Sequence, residues 1–226
     1  GSIVGTTFAT VNQLSYAVGD ESALKPLSSL TASVGGSQLA YLLNESQTFG
    51  PQIAAGLADA GVVRGTATFD RFLYTAQSTV DSGDPVNYAA ILAGSDGCDP
   101  EAAEAGDYAN IMTCNSLTIP TLLQQVNGDA VVPNGDPALP LMGTQGLASP
   151  SLTGATQLYP LGAPVPQAVS PAIINMVNGA HSSLLSPEAS LSVTTEMQAQ
   201  VSTFLNPAIP GVVVGAKSDQ DVEMAP

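Results

Sequence analysis

The sequence predicts an α/β fold with a mostly parallel sheet, and three observations lead to that prediction. Short apolar segments alternate along the chain with longer segments in which apolar residues recur every three or four positions, as in helices. The short segments are continuously apolar, which is typical of strands buried on both faces of a parallel sheet. Hydrophobic residues make up 44% of the 226 residues, which is enough for a sizeable core.

The first predicted elements are a helix, a strand and a helical region. Residues 3–13 have the pattern and small side chains of a helix that packs closely on a sheet. Residues 27–34 predict a short strand that ends at two glycines. Residues 37–80 contain segments with helical spacing, separated by glycine and proline. Residues 81–85 predict a turn that leads into a further helix.

The second half of the chain supplies the remaining strands. Residues 117–126 predict a buried strand that runs into a loop of turn-forming residues. Residues 135–170 are rich in Gly, Pro and Ser, and indicate a long excursion or lid. Residues 171–177 predict a second short buried strand.

An amphipathic helix is predicted near the end, over residues 187–205, with Ser186 as its N-cap and Pro187 at its first position. The chain therefore divides into four segments. These are a helix and strand at 1–36, a helical insertion at 37–116, core strands with the last helix at 117–205, and a polar tail at 206–226.

Charge excludes several classes of partner. Four Lys and Arg residues stand against 19 Asp and Glu residues, which gives a net charge of -15. A surface this acidic repels phosphate backbones, so we expect no nucleic-acid partner. It also argues against docking on anionic lipid head groups, whereas contact with a neutral lipid surface stays open. No run of apolar residues is long enough to predict a membrane span.

Two cysteines, Cys98 and Cys114, flank an acidic stretch. Two cysteines that close one short polar loop predict a disulfide and an oxidising compartment, the alternative being two unrelated thiols. Such a bridge stabilises by about 3 kcal/mol in the chain-entropy model. The acidic residues between 96 and 107 do not have the spacing of an EF-hand, and we expect a solvated loop there.

Asp129 and His181 are the candidate catalytic residues. Each follows a predicted buried strand, and His181 is the only histidine of the chain. In open parallel sheets, functional residues lie beyond the carboxyl ends of the strands. A carboxylate beside an imidazole fixes its tautomer and stabilises its charged form, which is the acid–base half of a nucleophilic triad. Taken singly, an Asp in this context is more often a turn residue, and a lone His in such a loop is more often a surface residue; the order of the two after strand ends favours the catalytic interpretation.

The loops around these residues resemble those of a known family. "GDAVVP" at 128–133 resembles the acid loop of α/β-hydrolases, in which Val-Pro follows three and four residues after the Asp, and "NGAHSSLLSP" at 178–187 resembles their histidine loop. Most of residues 1–205 is similar to the bacterial extracellular lipases and lysophospholipases. The stretches that carry this similarity are "GSIVGTTFATVNQ", "FGPQIAAGLADAGV", "AQSTVDSGDPVNYA" and "VNGDAVVPN".

The resemblance implies a nucleophilic serine that this chain does not contain. In the family, a Gly-x-Ser-x-Gly elbow lies directly before the helix that "IVGTTF" matches. Gly1 matches the last glycine of that elbow, so the serine is expected just upstream of Gly1. Ser2 is out of frame. The chain would then be the C-terminal part of an α/β-hydrolase fold with a helical cap, incomplete without an upstream segment and inactive alone.

The implied function is that of a secreted or cell-surface bacterial ester hydrolase. Its substrates would be acylglycerols or lysophospholipids, with no cofactor and no metal. His181 would act as general base and Asp129 would orient it. The alternative is a non-catalytic secreted binding or surface domain on a hydrolase-like scaffold. A thioesterase or peptidase on the same fold is a third possibility, since fold does not fix the substrate.

Other chemistry-bearing residues have structural explanations. Asp81 and Asp84 in "DSGDP" are expected to cap a helix and fix a turn, the alternative being a second acid or a cation site. With one His and two Cys, a zinc site is not expected. Four methionines are expected to pack in the core or lid: Met112, Met142, Met176 and Met197.

Overall fold

The structure is a computed structural model that describes residues 1–20, 24–95, 97–133, 164–166, 172–176, 178–206 and 211–213. Its strands are β1 (Leu30–Ser33), β2 (Thr121–Val126), β3 (Pro164–Pro166), β4 (Ala172–Met176) and β5 (Gly211–Val213). Its helices are α1 (Ser2–Ala17), α2 (Leu39–Glu45), α3 (Gly50–Asp59), α4 (Ala67–Val80), α5 (Val86–Ala93), α6 (Pro100–Glu104), α7 (Tyr108–Cys114) and α8 (Leu191–Phe204).

The centre of the fold is a three-stranded parallel sheet in the order β1-β2-β4. The predicted mixture of helices with a parallel sheet is confirmed, as are the predicted strands within 27–34, 117–126 and 171–177. β3 and β5 form a separate antiparallel pair. Apart from β3, the predicted excursion at 135–170 lies outside the described residues, and so does most of the 206–226 tail.

Two apolar clusters hold the helices. α8 packs on the sheet through a cluster made of Leu122, Val126, Ile174, Met176, Val193, Met197 and Phe204. α1, α5 and α7 meet in a second cluster that contains Ala9, Leu92, Met112, Leu117 and Ile119. The core positions predicted for Met112, Met176 and Met197 are confirmed, since all three are fully buried. Met142 lies outside the described residues.

Asp84 has the structural role expected of the "DSGDP" turn. Its buried carboxylate accepts hydrogen bonds from the backbone N–H groups of Gln38, Leu39 and Val86 and from Nε2 of Gln77, at 2.8–3.1 Å. It thereby holds the start of α2, the end of α4 and the start of α5 together. Because protein donors surround the carboxylate, the turn interpretation is confirmed for Asp84.

Two predictions about element boundaries are wrong. The last helix begins at Leu191, with Ser190 rather than Ser186 as its N-cap: Oγ of Ser190 accepts from the Val193 N–H at 3.3 Å. The carbonyl of Ser186 instead accepts a hydrogen bond from the Thr194 hydroxyl. The stretch at 96–107, expected to be a solvated loop, contains α6 and the N-cap of α7, because Asp99 and Asp107 each accept N–H groups as helix N-caps.

The predicted disulfide is confirmed, since Cys98 is bonded to Cys114. It ties the segment before α6 to the end of α7. In the part of the chain that the structure describes, no helix is long and apolar enough to cross a membrane.

Candidate active site

The sheet brings the two predicted site residues together. β2 and β4 are parallel neighbours, and their last residues, Val126 and Met176, are paired in register. The two chain segments that leave these strands therefore start at the same edge of the sheet. Asp129 and His181 lie on these segments, and Nδ1 of His181 is 2.8 Å from Oδ2 of Asp129.

The Asp129 carboxylate is held rigidly by its own loop. Its Oδ1 accepts the backbone N–H groups of Val131 at 2.8 Å and Val132 at 3.1 Å, which makes an Asx-type turn. Gly128 supplies the positive φ of 70° that the turn needs just after β2. With Oδ1 occupied in this way, Oδ2 is directed to the imidazole.

A second tight turn positions His181. Oγ of the buried Ser183 accepts the Ala180 N–H at 2.8 Å, and the Ser183 N–H donates back to the Ala180 carbonyl at 2.9 Å. Gly179 has a φ of 116°, and a side chain there would collide with Ser183. The turn therefore presents His181 at the end of β4 with little freedom.

Burial and tautomer follow from this geometry. The Asp129 side chain is fully buried, whereas 40% of the His181 side chain is exposed. Because Nδ1 donates to a carboxylate, the neutral ring has its lone pair on Nε2. An imidazole oriented in this way can accept a proton on Nε2 while the carboxylate stabilises the resulting positive charge.

His181 lies on the wall of a cavity of about 720 Å³. This volume is in the range of sites that bind small molecules. Apolar side chains make up most of the lining, and they come from α1, β1, the region of α2 and α3, the acid loop, the histidine loop and α8. They include Ile3, Leu42, Leu43, Phe49, Val131, Val132, Leu184 and Leu185.

The start of α1 lies on the same wall, because Gly1 and Ser2 also line the cavity. The Ser2 hydroxyl donates to the Ser33 carbonyl at 2.6 Å, so it is used in tying α1 to β1. Within the described ranges, the only hydrogen bond of the His181 ring is to Asp129.

Sequence reasoning missed a group of contacts beside the site. The Ala130 carbonyl accepts the Thr48 N–H at 2.9 Å, the Thr48 hydroxyl at 2.9 Å and the Ser46 hydroxyl at 3.2 Å. These residues are far apart in the sequence, so no local pattern indicates the contact. The one local signal is the polar Ser-Gln-Thr stretch between α2 and α3.

Among the described residues, no group of three or more His, Cys, Asp and Glu side chains is arranged to hold a metal ion. The chain matches no protein-family model, no curated protein and no solved structure.

Proposed function

We propose that this chain supplies the acid and the base of a serine-dependent carboxylic ester hydrolase that acts on lipid esters. Asp129 is the acid, His181 is the base, and the nucleophilic serine is on a segment that precedes Gly1. The observation that carries the proposal is the 2.8 Å hydrogen bond from Nδ1 of His181 to the buried Asp129, on the wall of an apolar cavity.

The proposed reaction follows from the position of the free nitrogen. Nε2 of His181 takes the proton of the serine hydroxyl as the serine oxygen attacks the ester carbonyl. The imidazolium, stabilised by Asp129, then gives that proton to the leaving alcohol as the carbon–oxygen bond of the ester breaks. A water molecule repeats the sequence on the acyl-enzyme, so that the acid is released and the serine is restored.

The start of α1 supports the proposed place of the serine. Gly1 and Ser2 line the same cavity as His181, and the Ser2 hydroxyl is committed to the Ser33 carbonyl. A residue shortly before Gly1 is therefore close to the base. The N-terminus of this 16-residue helix also has a positive dipole end at the cavity, which favours the oxyanion of the tetrahedral intermediate.

The outer face of α1 supports an upstream segment that packs on this chain. Val4, Phe8 and Val11 are 72%, 48% and 47% exposed, and they form one stripe at helical spacing. An exposed apolar stripe of this kind is typical of a surface that another part of a protein covers. The proposed upstream strands would complete an α/β-hydrolase fold around α1 and the three-stranded sheet.

The cavity supports an ester with an apolar acyl group. Leu42, Leu43 and Phe49 from the proposed cap line it, together with apolar residues of the acid and histidine loops. The net charge of -15 disfavours anionic substrates. The disulfide supports an oxidising compartment, which fits the secreted or cell-surface location proposed with the lipid substrate.

The test is esterase activity in a polypeptide that carries residues 1–226 together with the preceding segment. We expect it to hydrolyse p-nitrophenyl esters of fatty acids. His181→Ala should lower kcat by about 10⁶-fold, because it removes the general base. Asp129→Asn should lower kcat by about 10⁴-fold, because the amide favours the wrong tautomer of the ring. Asp81→Asn, on an exposed turn, is the matched control and should keep full activity.

Two outcomes would contradict parts of the proposal. Full activity in either site variant would remove Asp129 and His181 from the mechanism. Rapid turnover by residues 1–226 alone would mean that the nucleophile is within this chain and that its proposed place is wrong.

The second candidate function is non-catalytic binding of an apolar ligand. The observation that favours it is the largely apolar lining of the cavity, which can hold an acyl chain whether or not a reaction follows. Binding of an uncharged fluorescent lipid by the longer polypeptide, with no ester turnover and no labelling by an organophosphonate, would support this function over hydrolysis.

A further inference from the structure

We infer that Thr48 and Ser46 are positioning residues that hold Asp129, and through it His181, from the turn between α2 and α3. The inference rests on the proposed function for its catalytic meaning, but the contacts themselves do not depend on it. Neither residue touches the imidazole, so any effect on the ring must pass through the acid loop.

The link is one peptide group. The carbonyl of the peptide between Ala130 and Val131 accepts three hydrogen bonds, two from Thr48 and one from Ser46, at 2.9–3.2 Å. The N–H of the same peptide group donates to Oδ1 of Asp129 at 2.8 Å. Because a peptide group is planar and rigid, donors that fix its carbonyl also fix the direction of its N–H.

The donors are themselves held in place. The Ser46 hydroxyl also accepts the Phe49 N–H at 3.2 Å, and the Gly50 N–H donates to the Ser46 carbonyl at 2.8 Å. Nη2 of Arg64 donates to Oδ1 of the buried Asn44 at 2.6 Å, just before the turn. The turn is therefore a fixed support rather than a mobile contact.

Apolar packing backs the hydrogen bonds. Leu42 of α2 and Val132 of the acid loop are both buried and form one cluster, with Tyr41 and Val131 packed against them. Phe49, directly after Thr48, lines the cavity. The turn between α2 and α3 therefore both lines the cavity, through Phe49, and holds the acid loop, through Ser46 and Thr48.

The geometry gives these hydroxyls a contact beyond their own turn. A threonine hydroxyl on a helix surface usually bonds a carbonyl four residues earlier, as Thr75 does with Arg71 at 2.8 Å. Thr48 and Ser46 instead direct their hydroxyls to one carbonyl more than 80 residues away, beside the acid. Removing them should loosen the acid loop at the end that orients the imidazole.

The experiment uses the histidine as its own probe. His181 is the only histidine, so the ring nitrogens of the ¹⁵N-labelled full chain give one pair of resonances. At a pH where the ring is neutral, their shifts report the ratio of the Nδ1–H to the Nε2–H tautomer. We expect Thr48→Val, which keeps the shape of the side chain and its backbone N–H, to lower this ratio roughly three- to tenfold, the worth of about one hydrogen bond.

The control variants separate positioning from general damage. Thr48→Ser keeps the hydroxyl and should restore the wild-type ratio. Thr75→Val makes the same change on the exposed side of α4 and should leave the ratio within about twofold of wild type. Ser46→Ala should act in the direction of Thr48→Val, and the two changes together should lower the ratio further.

Each result decides the inference. A ratio unchanged in a folded Thr48→Val chain and in the double variant would overturn it, as would equal effects of Thr48→Val and Thr75→Val. If the double variant does not fold, the comparison of Thr48→Val with Thr48→Ser carries the test.

Activity gives a separate readout. In the longer polypeptide, Thr48→Val should lower kcat by a similar factor and leave KM unchanged. A wild-type polypeptide without esterase activity would contradict the proposed function, while the tautomer ratio would still test the positioning role.

Discussion

Two buried aspartates show how the same residue type serves different purposes. Asp84 and Asp129 each accept backbone N–H groups at the start of a turn. The remaining partner of Asp84 is the amide of Gln77, so its hydrogen bonds serve to join α2, α4 and α5. The remaining partner of Asp129 is an imidazole on a cavity wall. The buried carboxylate of Asp84 therefore joins structural elements, whereas the buried carboxylate of Asp129 orients an imidazole.

For Asp84 we expect a large effect on stability. Asp84→Asn leaves one acceptor oxygen in place of two, so about two of the four donors around the buried carboxylate lose their partner. At roughly 1–3 kcal/mol for each, the free energy of unfolding should fall by about 2–6 kcal/mol. The measurement is urea unfolding followed by circular dichroism. Asp81→Asn on the neighbouring exposed position should change it by less than about 0.5 kcal/mol, and equal losses in the two variants would contradict this role of Asp84.

The two proposed triad residues can be predicted from the sequence, but the residues that hold them in position cannot. Asp129 and His181 follow strands that the apolar pattern identifies, and parallel strands place such residues at one edge. The support from Ser46 and Thr48 is a contact across more than 80 residues, and nothing in a local pattern of two hydroxyl residues specifies a distant carbonyl. The turn at Ser183 is similarly a matter of packing against Gly179.

At the scale of elements, the wrong predictions concern where helices begin, because more than one nearby residue can act as the N-cap. Ser186 followed by Pro187 is a good helix start, yet the helix begins four residues later because Ser190 caps the Val193 N–H. In the acidic stretch, the density of charged residues predicts a solvated loop, but Asp99 before Pro100 and Asp107 before Tyr108 are N-cap residues and start helices there. The spacing of apolar residues predicts that a long helix is present, whereas its first residue depends on which of several candidate N-cap side chains accepts the free N–H groups.

The disulfide should matter more for α6 than for α7. α7 is anchored in the core by the fully buried Met112, and Oγ1 of Thr113 accepts the Ser95 N–H at 2.9 Å. α6 has its largest set of contacts with α7, and the bridge from Cys98 holds the segment that leads into it. A constraint on that segment therefore limits how far α6 can move away.

Replacing Cys98 and Cys114 together by serine should lower the free energy of unfolding by about 3 kcal/mol. Thermal and urea unfolding measure the loss, and hydrogen exchange should increase in α6 while α7 stays protected. Reducing the wild-type protein with dithiothreitol should give the same loss, and dithiothreitol should leave the double variant unchanged. Loss of protection in α7 as great as in α6 would contradict the separate anchoring of α7.

At the scale of the whole molecule, the dominant feature is charge. Nineteen acidic residues face four Lys and Arg residues, for a net charge of -15. These charges repel one another more strongly in the compact folded state than in the expanded unfolded chain, so they lower the free energy of unfolding. The same net charge keeps the protein soluble. The same charge repels anionic groups from the cavity, which fits a neutral ester as the proposed substrate.

We therefore expect salt to stabilise this protein. The screening length falls from about 30 Å at 0.01 M salt to about 3 Å at 1 M, so repulsion among exposed carboxylates weakens over that range. The Tm should rise with sodium chloride by roughly 2–4 °C, the equivalent of about 1 kcal/mol for a chain of this size, and most of the rise should come below about 0.2 M. Replacing the exposed Asp59, Glu101 and Glu104 by their amides should raise the Tm at low salt and flatten its salt dependence. A Tm that stays constant with salt, or the same slope in this variant, would mean that surface repulsion does not limit the stability of the fold.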